Sequence, residues 1–292
     1  MHHYLRAIGF SKLRNLKEIN ILLDDIIAHP TNRSITTIGA GINLVQMTKE
    51  YGDSYGISVI GEYDENNQFI LEHYFPYITG TTTKWEDSIT IEHHTDKEAY
   101  AGVSENTNIG IPLIFFLQNV TDYVRNKWSN EYNRPLNQVT YSALSSNGRI
   151  ILGIDKDEEQ LKQEKNGQKN RNRLIAAAKE GDADAIESLT LEDIDLYSSL
   201  AKRAKNEDLY TIVDSCFIPY GINSEQYSII GTIHDIHILQ NPVTSETLYQ
   251  LLVEVNEIPM DILINAIDLL GEPVIGRRFE GSIWAQGYVY LP

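Results

Sequence analysis

Hydrophobic and polar positions near the start of the chain follow first a helical and then a strand-like period. Apolar residues recur three and four positions apart within Ser11–His29, and this spacing predicts one amphipathic helix. Period-two alternation then predicts a hairpin of Ile57–Tyr63 and Phe69–Tyr77, followed by a strand at Ser88–His94. We therefore expect a small N-terminal antiparallel sheet with helices, in which the first helix covers the sheet.

The middle of the chain carries a second set of apolar patterns. Helical spacing predicts a helix over Ile111–Trp128, with Pro112 in its first turn. Two predicted strands, Gln138–Leu144 and Arg149–Ile154, flank an Asn-Gly pair, which is a strong signal for a tight turn between antiparallel strands. This second hairpin would complete an α+β domain over residues 1–154.

Residues 155–170 contain a single apolar side chain, Leu161, and two interpretations of this segment stay open. A stretch this polar cannot bury itself, so it is typical of a linker or an exposed loop and would mark a domain boundary. The alternative is a charged, solvated helix that extends backwards from the helix that follows.

A central helical pair is predicted next, over residues 171–205. Gly181 can adopt the left-handed conformation that ends a first helix, and Thr190 is a good N-cap for a second. An apolar stripe runs from Leu191 to Ala204 along this second helix. We expect the stripe to pack on the strands that follow it.

The rest of the chain returns to strand-like alternation. Five strands are predicted: Tyr210–Phe217, Tyr227–Leu239, Thr247–Glu257, Met260–Asn265 and Arg278–Tyr290. Five strands in so short a segment predict a small antiparallel β-barrel, OB-like or similar. With the helical pair, this barrel would form a second domain over residues 171–292. The predicted class is therefore α+β.

Composition and charge narrow the possible functions. The formal net charge is -17, and residues 206–292 carry two basic against twelve acidic residues, a net charge of -10. Such a surface repels nucleic-acid phosphates and anionic membranes, so neither is an expected partner. No apolar run is long enough to span a bilayer, and the N-terminus has no apolar signal core. These features predict a cytoplasmic protein.

Candidate metal ligands are few. Cys216 is the single cysteine and lies in an apolar run, which indicates an inert buried thiol and excludes a site built from several cysteines. On a strand, Asp235 and His237 share one face, as do Glu92 and His94. A metal held by Asp235, His237 and either Glu92 or His94 would require the two predicted domains to meet. The more conservative interpretation is that the histidines are structural or surface residues.

The last predicted strand offers a candidate binding face. Alternation places Trp284, Gln286 and Tyr288 on one side of it, with Arg277 and Arg278 at its start. An aromatic and polar face beside two cations could bind an anionic or aromatic partner. The alternative is that these aromatic side chains pack against the helical pair.

Five separated phrases carry a resemblance over nearly the whole chain. They are HHYLRAIGFSKL, GEYDENNQFILEHYFPY, ESLTLEDIDLYS, FIPYGINSEQYSIIG and DLLGEPVIGRRFEGSIWAQG. Together they resemble an uncharacterised domain-of-unknown-function family from Gram-positive anaerobic bacteria. The resemblance implies a bacterial, cytoplasmic protein and supplies no activity, cofactor or catalytic residue.

These observations favour a non-catalytic module that binds a protein or a small ligand. No catalytic residue and no cofactor is predicted, because the chain contains no recognisable nucleophile elbow, phosphate-binding loop or zinc-protease motif. The rival hypothesis is a metal-assisted hydrolase that uses the histidines and carboxylates. A third hypothesis, single-strand nucleic-acid binding by an OB-like domain, conflicts with the acidic charge.

Overall fold

The computed structural model describes residues 3–38, 42–66, 68–93, 98–105, 111–128, 136–154, 158–203, 209–221 and 224–291. Strands make up 51% of the structure and helices 25%, so the chain is an α+β protein dominated by sheet. No helix within the described ranges is long and apolar enough to cross a membrane.

The N-terminal antiparallel sheet is confirmed as a four-stranded meander. Its strands are hydrogen-bonded in chain order and are β1 (Asn32–Ile38), β2 (Ile42–Gly52), β3 (Tyr55–Tyr63) and β4 (Phe69–Ile78). Helix α1 (Leu16–Ala28) packs against β2 and β3. The helix buries three apolar side chains, Ile19, Leu23 and Ile26.

The N-cap of helix α1 is Asn15, four residues after Ser11, where the predicted helix begins. The Asn15 side-chain oxygen accepts a hydrogen bond from the Glu18 N–H at 3.0 Å. The Glu18 carboxylate in turn accepts from the Arg14 N–H at 2.8 Å. Reciprocal bonds of this kind satisfy amides that have no partner inside the first turn, and they fix the helix start.

A second sheet of ten strands takes segments from both halves of the chain. Four strands precede the central helices, namely β5 (Thr83–His93), β6 (Tyr100–Ser104), β7 (Leu113–Leu117) and β8 (Leu136–Ile151). Six follow them, namely β9 (Cys216–Pro219), β10 (Gln226–Gln240), β11 (Thr247–Val255), β12 (Ile258–Asn265), β13 (Leu269–Leu270) and β14 (Arg278–Val289).

The pairing of β8 with β14 is the axis of this sheet. The two strands are antiparallel, and every residue of β14 from Arg278 to Val289 has a partner in β8. On one side, β10, β11 and β12 lead from β14 back to β8. On the other side, β7, β6 and β5 connect β14 to β8 through a second series of pairings. The pairings therefore form two closed circuits that share β8 and β14.

The second sheet joins strands from both sides of residues 155–170. The C-terminal strands pair antiparallel with one another, but their circuit closes only through β8, which joins β12 in parallel. In addition, one cluster of buried apolar side chains extends from Tyr4 to Val289. A boundary at residues 155–170 therefore does not separate two independent sheets or two independent cores.

Two local predictions were wrong because strand partners override turn and helix signals. Residues 136–151 form one strand instead of a hairpin, since Asn147 and Gly148 are paired with Ser282 and Gly281 of β14. The predicted helix over Ile111–Trp128 is instead β7 followed by helix α2 (Val120–Trp128). A short buried apolar run is compatible with either helix or strand. Here the run pairs with β6 and β14 and is therefore a strand.

Helices α3 (Glu158–Lys179) and α4 (Ala183–Arg203) occupy the middle of the chain and pack against each other. The helical alternative for residues 155–170 is thus observed from Glu158 onward. Gly181 lies in the turn between them with a φ of +90°, which favours glycine. Leu191 and Ile194, two members of the predicted apolar stripe, are exposed and do not pack on the C-terminal strands, whereas the side chains of Tyr197, Leu200 and Ala204 lie outside the described residues. A short helix, α5 (Leu209–Ile212), leads into β9.

Substitution of a glycine next to the Phe115 ring tests the packing around β7. A Cβ at Gly287 would lie 2.4 Å from this ring, and one at Gly102 would lie 2.1 Å from it. Phe115 is fully buried, so neither the ring nor the strands can move away cheaply. Gly287→Ala should therefore lower the free energy of unfolding by about 1–3 kcal/mol, the usual effect of overpacking.

Urea denaturation measures the stability of Gly287→Ala, and Gly167→Ala is its matched control. A Cβ at Gly167 meets nothing within 4 Å, and the position lies inside α3. Alanine favours helix over glycine by about 0.5–1 kcal/mol, so this variant should be unchanged or slightly more stable. Equal stability of Gly287→Ala and the parent protein would contradict the described packing.

Candidate functional site

The four predicted metal ligands do not form a metal site in the described structure. Asp235 and His237 lie side by side on β10, with the His237 Nε2 3.3 Å from an Asp235 oxygen, and both side chains are exposed. Glu92 lies on β5 and is exposed, and His94 lies outside the described residues. Among the residues that the structure describes, no three His, Cys, Asp or Glu side chains are close enough together to hold a metal ion.

Three of the five predicted binding residues are buried. Trp284 is 5% exposed, Gln286 0% and Arg278 3%, so none of them offers a surface to a partner. The Trp284 ring stacks on Tyr4 with 5.5 Å between centroids and lies 5.0 Å from Phe116. Packing explains this tryptophan, as the alternative interpretation had it, but the rings it contacts here come from the N-terminal turn and β7.

Arg278 has an internal role that its position in the sequence does not reveal. Its guanidinium donates hydrogen bonds to the carbonyl oxygens of Leu152 at 2.8 Å, Val213 at 2.6 Å and Tyr210 at 2.6 Å. Leu152 lies six residues before α3, and Tyr210 and Val213 lie in and directly after the short helix that follows α4, so one arginine holds the segments on both sides of the helical pair against β14. Arg277, its neighbour, is exposed.

Tyr288 is the predicted residue that reaches a cavity. It is half-buried at the edge of a polar cleft of about 240 Å³, which we call the junction cleft. The cleft lies between the first sheet and the segment that connects β7 to α2. Its rim includes side chains from β1, β2, β4 and α2, namely Asn32, Thr48, Glu50, Tyr77 and Asp122.

Three buried glutamines form a hydrogen-bonded network beneath the junction cleft. The Gln118 side-chain nitrogen donates to the Gln286 oxygen at 2.9 Å and to the Ile78 carbonyl at 2.9 Å. The Gln286 nitrogen donates to the Pro76 carbonyl at 2.8 Å. Gln46 donates to the Gln118 carbonyl at 2.8 Å. Their bonds fix the orientation of each amide and connect the first sheet to β14.

The segment after β7 is held in place by a second set of bonds. The Thr121 hydroxyl donates to the Gln46 side-chain oxygen at 3.1 Å, so the start of α2 is tied to β2. The Asn119 side chain donates to the Val289 carbonyl at 2.8 Å and accepts from the Val289 N–H at 3.1 Å. Hydrogen bonds to β2 and to the end of β14 therefore hold the connection between β7 and α2, which lines the cleft.

Electrostatics at the cleft combine acidic groups with neutral donors. Glu50 and Asp122 are its charged lining residues in the described part of the chain, and Asp122 pairs with Arg125 at 3.0 Å. Burial raises the pKa of Tyr77, and Glu50 raises it further. Burial likewise raises the pKa of Tyr288, assisted by Asp122 and Tyr290. Both phenols are therefore protonated at neutral pH and can donate hydrogen bonds.

A wider hollow of about 480 Å³ adjoins the junction cleft. The two share Asn119, Asp122 and Tyr288, and the hollow adds Arg125 and Tyr290 to the lining. Together they form a groove along the end of β14 and the first turns of α2.

Sequence reasoning missed Gln46 and Gln118, although each leaves a signal. Gln46 stands between two buried apolar residues of β2, Val45 and Met47, and Gln118 directly follows the apolar run of β7. A buried amide needs hydrogen-bond partners, so a glutamine in an apolar strand indicates a polar network nearby. The pattern cannot say which distant residues complete that network.

Cys216 is half-buried, as an inert thiol would be. Burial raises the pKa of this cysteine above its ordinary value, and the nearby Glu280 raises it further. Since the thiolate is the nucleophilic form, the surroundings of Cys216 disfavour covalent chemistry at neutral pH.

Comparison with known proteins identifies a family. The family model described as "Domain of unknown function, E. rectale Gene description (DUF3881)" matches residues 5–287. This match confirms the resemblance to a family of unknown function from Gram-positive anaerobes. No curated protein and no solved structure matches the chain.

The contrast between Arg278 and Arg277 is testable by substitution. Arg278→Met removes three charge-assisted hydrogen bonds and leaves the carbonyl oxygens that accepted them without their donor. We expect the free energy of unfolding to fall by about 2–4 kcal/mol. Arg277→Met, at an exposed neighbouring position, should change it by no more than about 0.5 kcal/mol. Equal effects in urea denaturation would show that Arg278 is not an internal anchor.

Proposed function

The chain belongs to this family of unknown function, and we propose that it is a non-catalytic cytoplasmic module that binds a small, uncharged, polyhydroxylated ligand in the junction cleft. A free sugar or a cyclic polyol has the chemistry required. The proposal needs no metal and no cofactor, and it names neither nucleic acid nor a membrane as a partner.

The observation that carries the proposal is the pre-ordered polar floor of the cleft. Gln46 and Gln118 line the cleft while being almost fully buried, and both are fixed by hydrogen bonds to the protein. Ligand sites typically place a few oriented polar groups in a concave surface that is formed before binding. Side chains that are already ordered lose little entropy when a ligand arrives, which favours affinity for a small molecule.

The size of the cleft limits the ligand. Sites for drug-sized molecules usually enclose about 300–1,000 Å³. The junction cleft, at about 240 Å³, is smaller than that range. A ligand of one sugar ring suits this volume, and the adjoining hollow leaves room for a substituent.

The charge and hydrogen-bonding character of the lining favour a neutral polyol. Glu50 disfavours phosphates and carboxylates, and Asp122 is already paired with Arg125. Hydroxyl groups both donate and accept hydrogen bonds, so they match a lining that mixes amides, hydroxyls and a carboxylate. The rings of Phe75 and Tyr77 add apolar surface for the C–H groups of such a ligand.

The rival hypotheses receive less support. A metal-assisted hydrolase would rest on Asp235 and His237, a pair on an exposed strand that does not line the junction cleft. Nucleic-acid binding conflicts with the acidic C-terminal segment. We further propose that the circuit of β8, β14, β10, β11 and β12 forms a small closed barrel, supported by the pairing of each strand with the next. This barrel is the stable support on which one wall of the cleft is built.

Titration of the isotope-labelled protein with neutral monosaccharides and cyclic polyols tests the proposal. We expect at least one of them to shift the amide resonances of Gln46, Gln118 and Thr121, with little change elsewhere. The matching sugar phosphates should bind at least about tenfold more weakly, because a phosphate would approach the Glu50 carboxylate. Tighter binding of the phosphates, or no shifts in the cleft at millimolar ligand, would refute the proposal.

Tyr288→Phe then tests whether the ligand binds in the junction cleft. Loss of one neutral hydrogen bond should weaken binding about 2- to 10-fold, provided that the Tyr288 hydroxyl contacts the ligand. Tyr220→Phe is the matched control, because Tyr220 is an exposed tyrosine outside the cleft lining. An equal loss of affinity in both variants would place the binding site elsewhere.

A further inference from the structure

The hairpin of α3 and α4, which we call the helical arm, is poorly covered by the rest of the protein. Within the described ranges, each of the two helices packs mainly against the other. Ala185 is the one buried side chain among those described in the arm. Helices in water depend mostly on tertiary packing of an apolar face, so apolar side chains that are exposed among the described residues of the arm favour a further partner.

The arm exposes apolar side chains that such a partner could cover. Ile186, Leu191 and Ile194 of α4 are 49%, 57% and 56% exposed. They occupy neighbouring turns on one side of the helix, because residues three, five and eight positions apart stay within about half of its circumference. Leu174 and Ile175 of α3 are half-buried near the same end of the arm. The incompletely covered apolar surface therefore extends from α4 onto α3.

The charges of the two helices show which partner fits. Helix α3 has six basic and three acidic residues, a net charge of +3. Helix α4 has two basic and five acidic residues, a net charge of -3. Within the arm, Arg171 of α3 already lies 3.8 Å from Glu192 of α4. A surface formed by one basic and one acidic helix is complementary to its own copy after a two-fold rotation, which sets each α3 against the partner's α4.

We infer that the helical arm is a dimerisation element, and that its partner is a second copy of this chain. Two arms pack into a four-helix bundle that covers Ile186, Leu191 and Ile194 of both copies. Two-fold dimers require one surface that complements itself, and the arm meets this requirement in both charge and apolar character. No described residue of the arm lines the junction cleft.

Sedimentation velocity on the full chain tests the inference. We expect a dimer at about 20 μM protein, and a monomer for the double variant Leu191→Lys, Ile194→Lys, because burying two lysines in a helix interface is unfavourable. Leu270→Lys is the matched control, since Leu270 is an exposed leucine of β13, and it should remain dimeric. A monomeric parent protein would overturn the inference, as would a double variant that still dimerises. Circular dichroism checks that the arm of the double variant stays helical. If the arm unfolds, Ile186→Gln is used in place of the double variant in the same sedimentation assay.

A mixing experiment tests the charge pattern separately. Glu187 of α4 and Arg173 of α3 are exposed. Glu187→Lys and Arg173→Glu should each weaken the homodimer by about 2- to 5-fold, in line with the small energies of surface charge pairs. An equimolar mixture should form a heterodimer tighter than either variant's homodimer, because each altered helix then faces one of opposite charge. A mixture no tighter than the separate variants would overturn the assignment of α3 against the partner's α4.

Discussion

The hydrogen bonds between β8 and β14 hold together strands that lie far apart in the sequence. Every residue of β14 has a partner in β8, and the free edge of each strand begins a further series of strands. A break in this pairing would open both circuits at once. The close contact of Gly287 with the Phe115 ring shows how little free volume the shared region leaves. The rest of the second sheet therefore depends on the pairing of β8 with β14.

The same strand pair supports the junction cleft. Gln286 lies on β14 and its side-chain oxygen accepts a hydrogen bond from the Gln118 amide, so the floor of the cleft is attached to a strand that pairs with three neighbours. The opposite wall comes from the N-terminal meander through Gln46. A polar network between two sheets is costly unless every member is satisfied, and here each amide finds a partner in the other sheet or the connecting segment. Stability and site geometry thus rest on one set of bonds.

The helical arm follows a different principle. It enters and leaves the sheet at positions that Arg278 holds together through main-chain carbonyls. Within the described ranges α3 and α4 contact mainly each other, and the two helices carry opposite net charges. The dimer that we propose would use this surface and no described lining residue of the cleft.

Local sequence patterns determined those parts of the protein that depend on neighbouring residues. The hairpin of β3 and β4, the first helix, the turn at Gly181 and the overall α+β class follow from periodicity and from glycine's tolerance of positive φ. Among the candidate site residues, Tyr288 lies at the cleft, whereas Trp284, Gln286 and Arg278 are internal. Alternation along one strand can separate two faces, but it cannot show that both faces will be covered.

Only the tertiary structure decided which distant segments share a sheet. The Asn-Gly pair at 147–148 favours a turn, yet twelve consecutive partners in β14 outweigh that local preference and keep the strand continuous. For the same reason, residues 155–170 could not mark a boundary between sheets, since β8 lies before them and β14 after them. Pairing between remote strands depends on the summed energy of many contacts, and no short window of the sequence contains that sum.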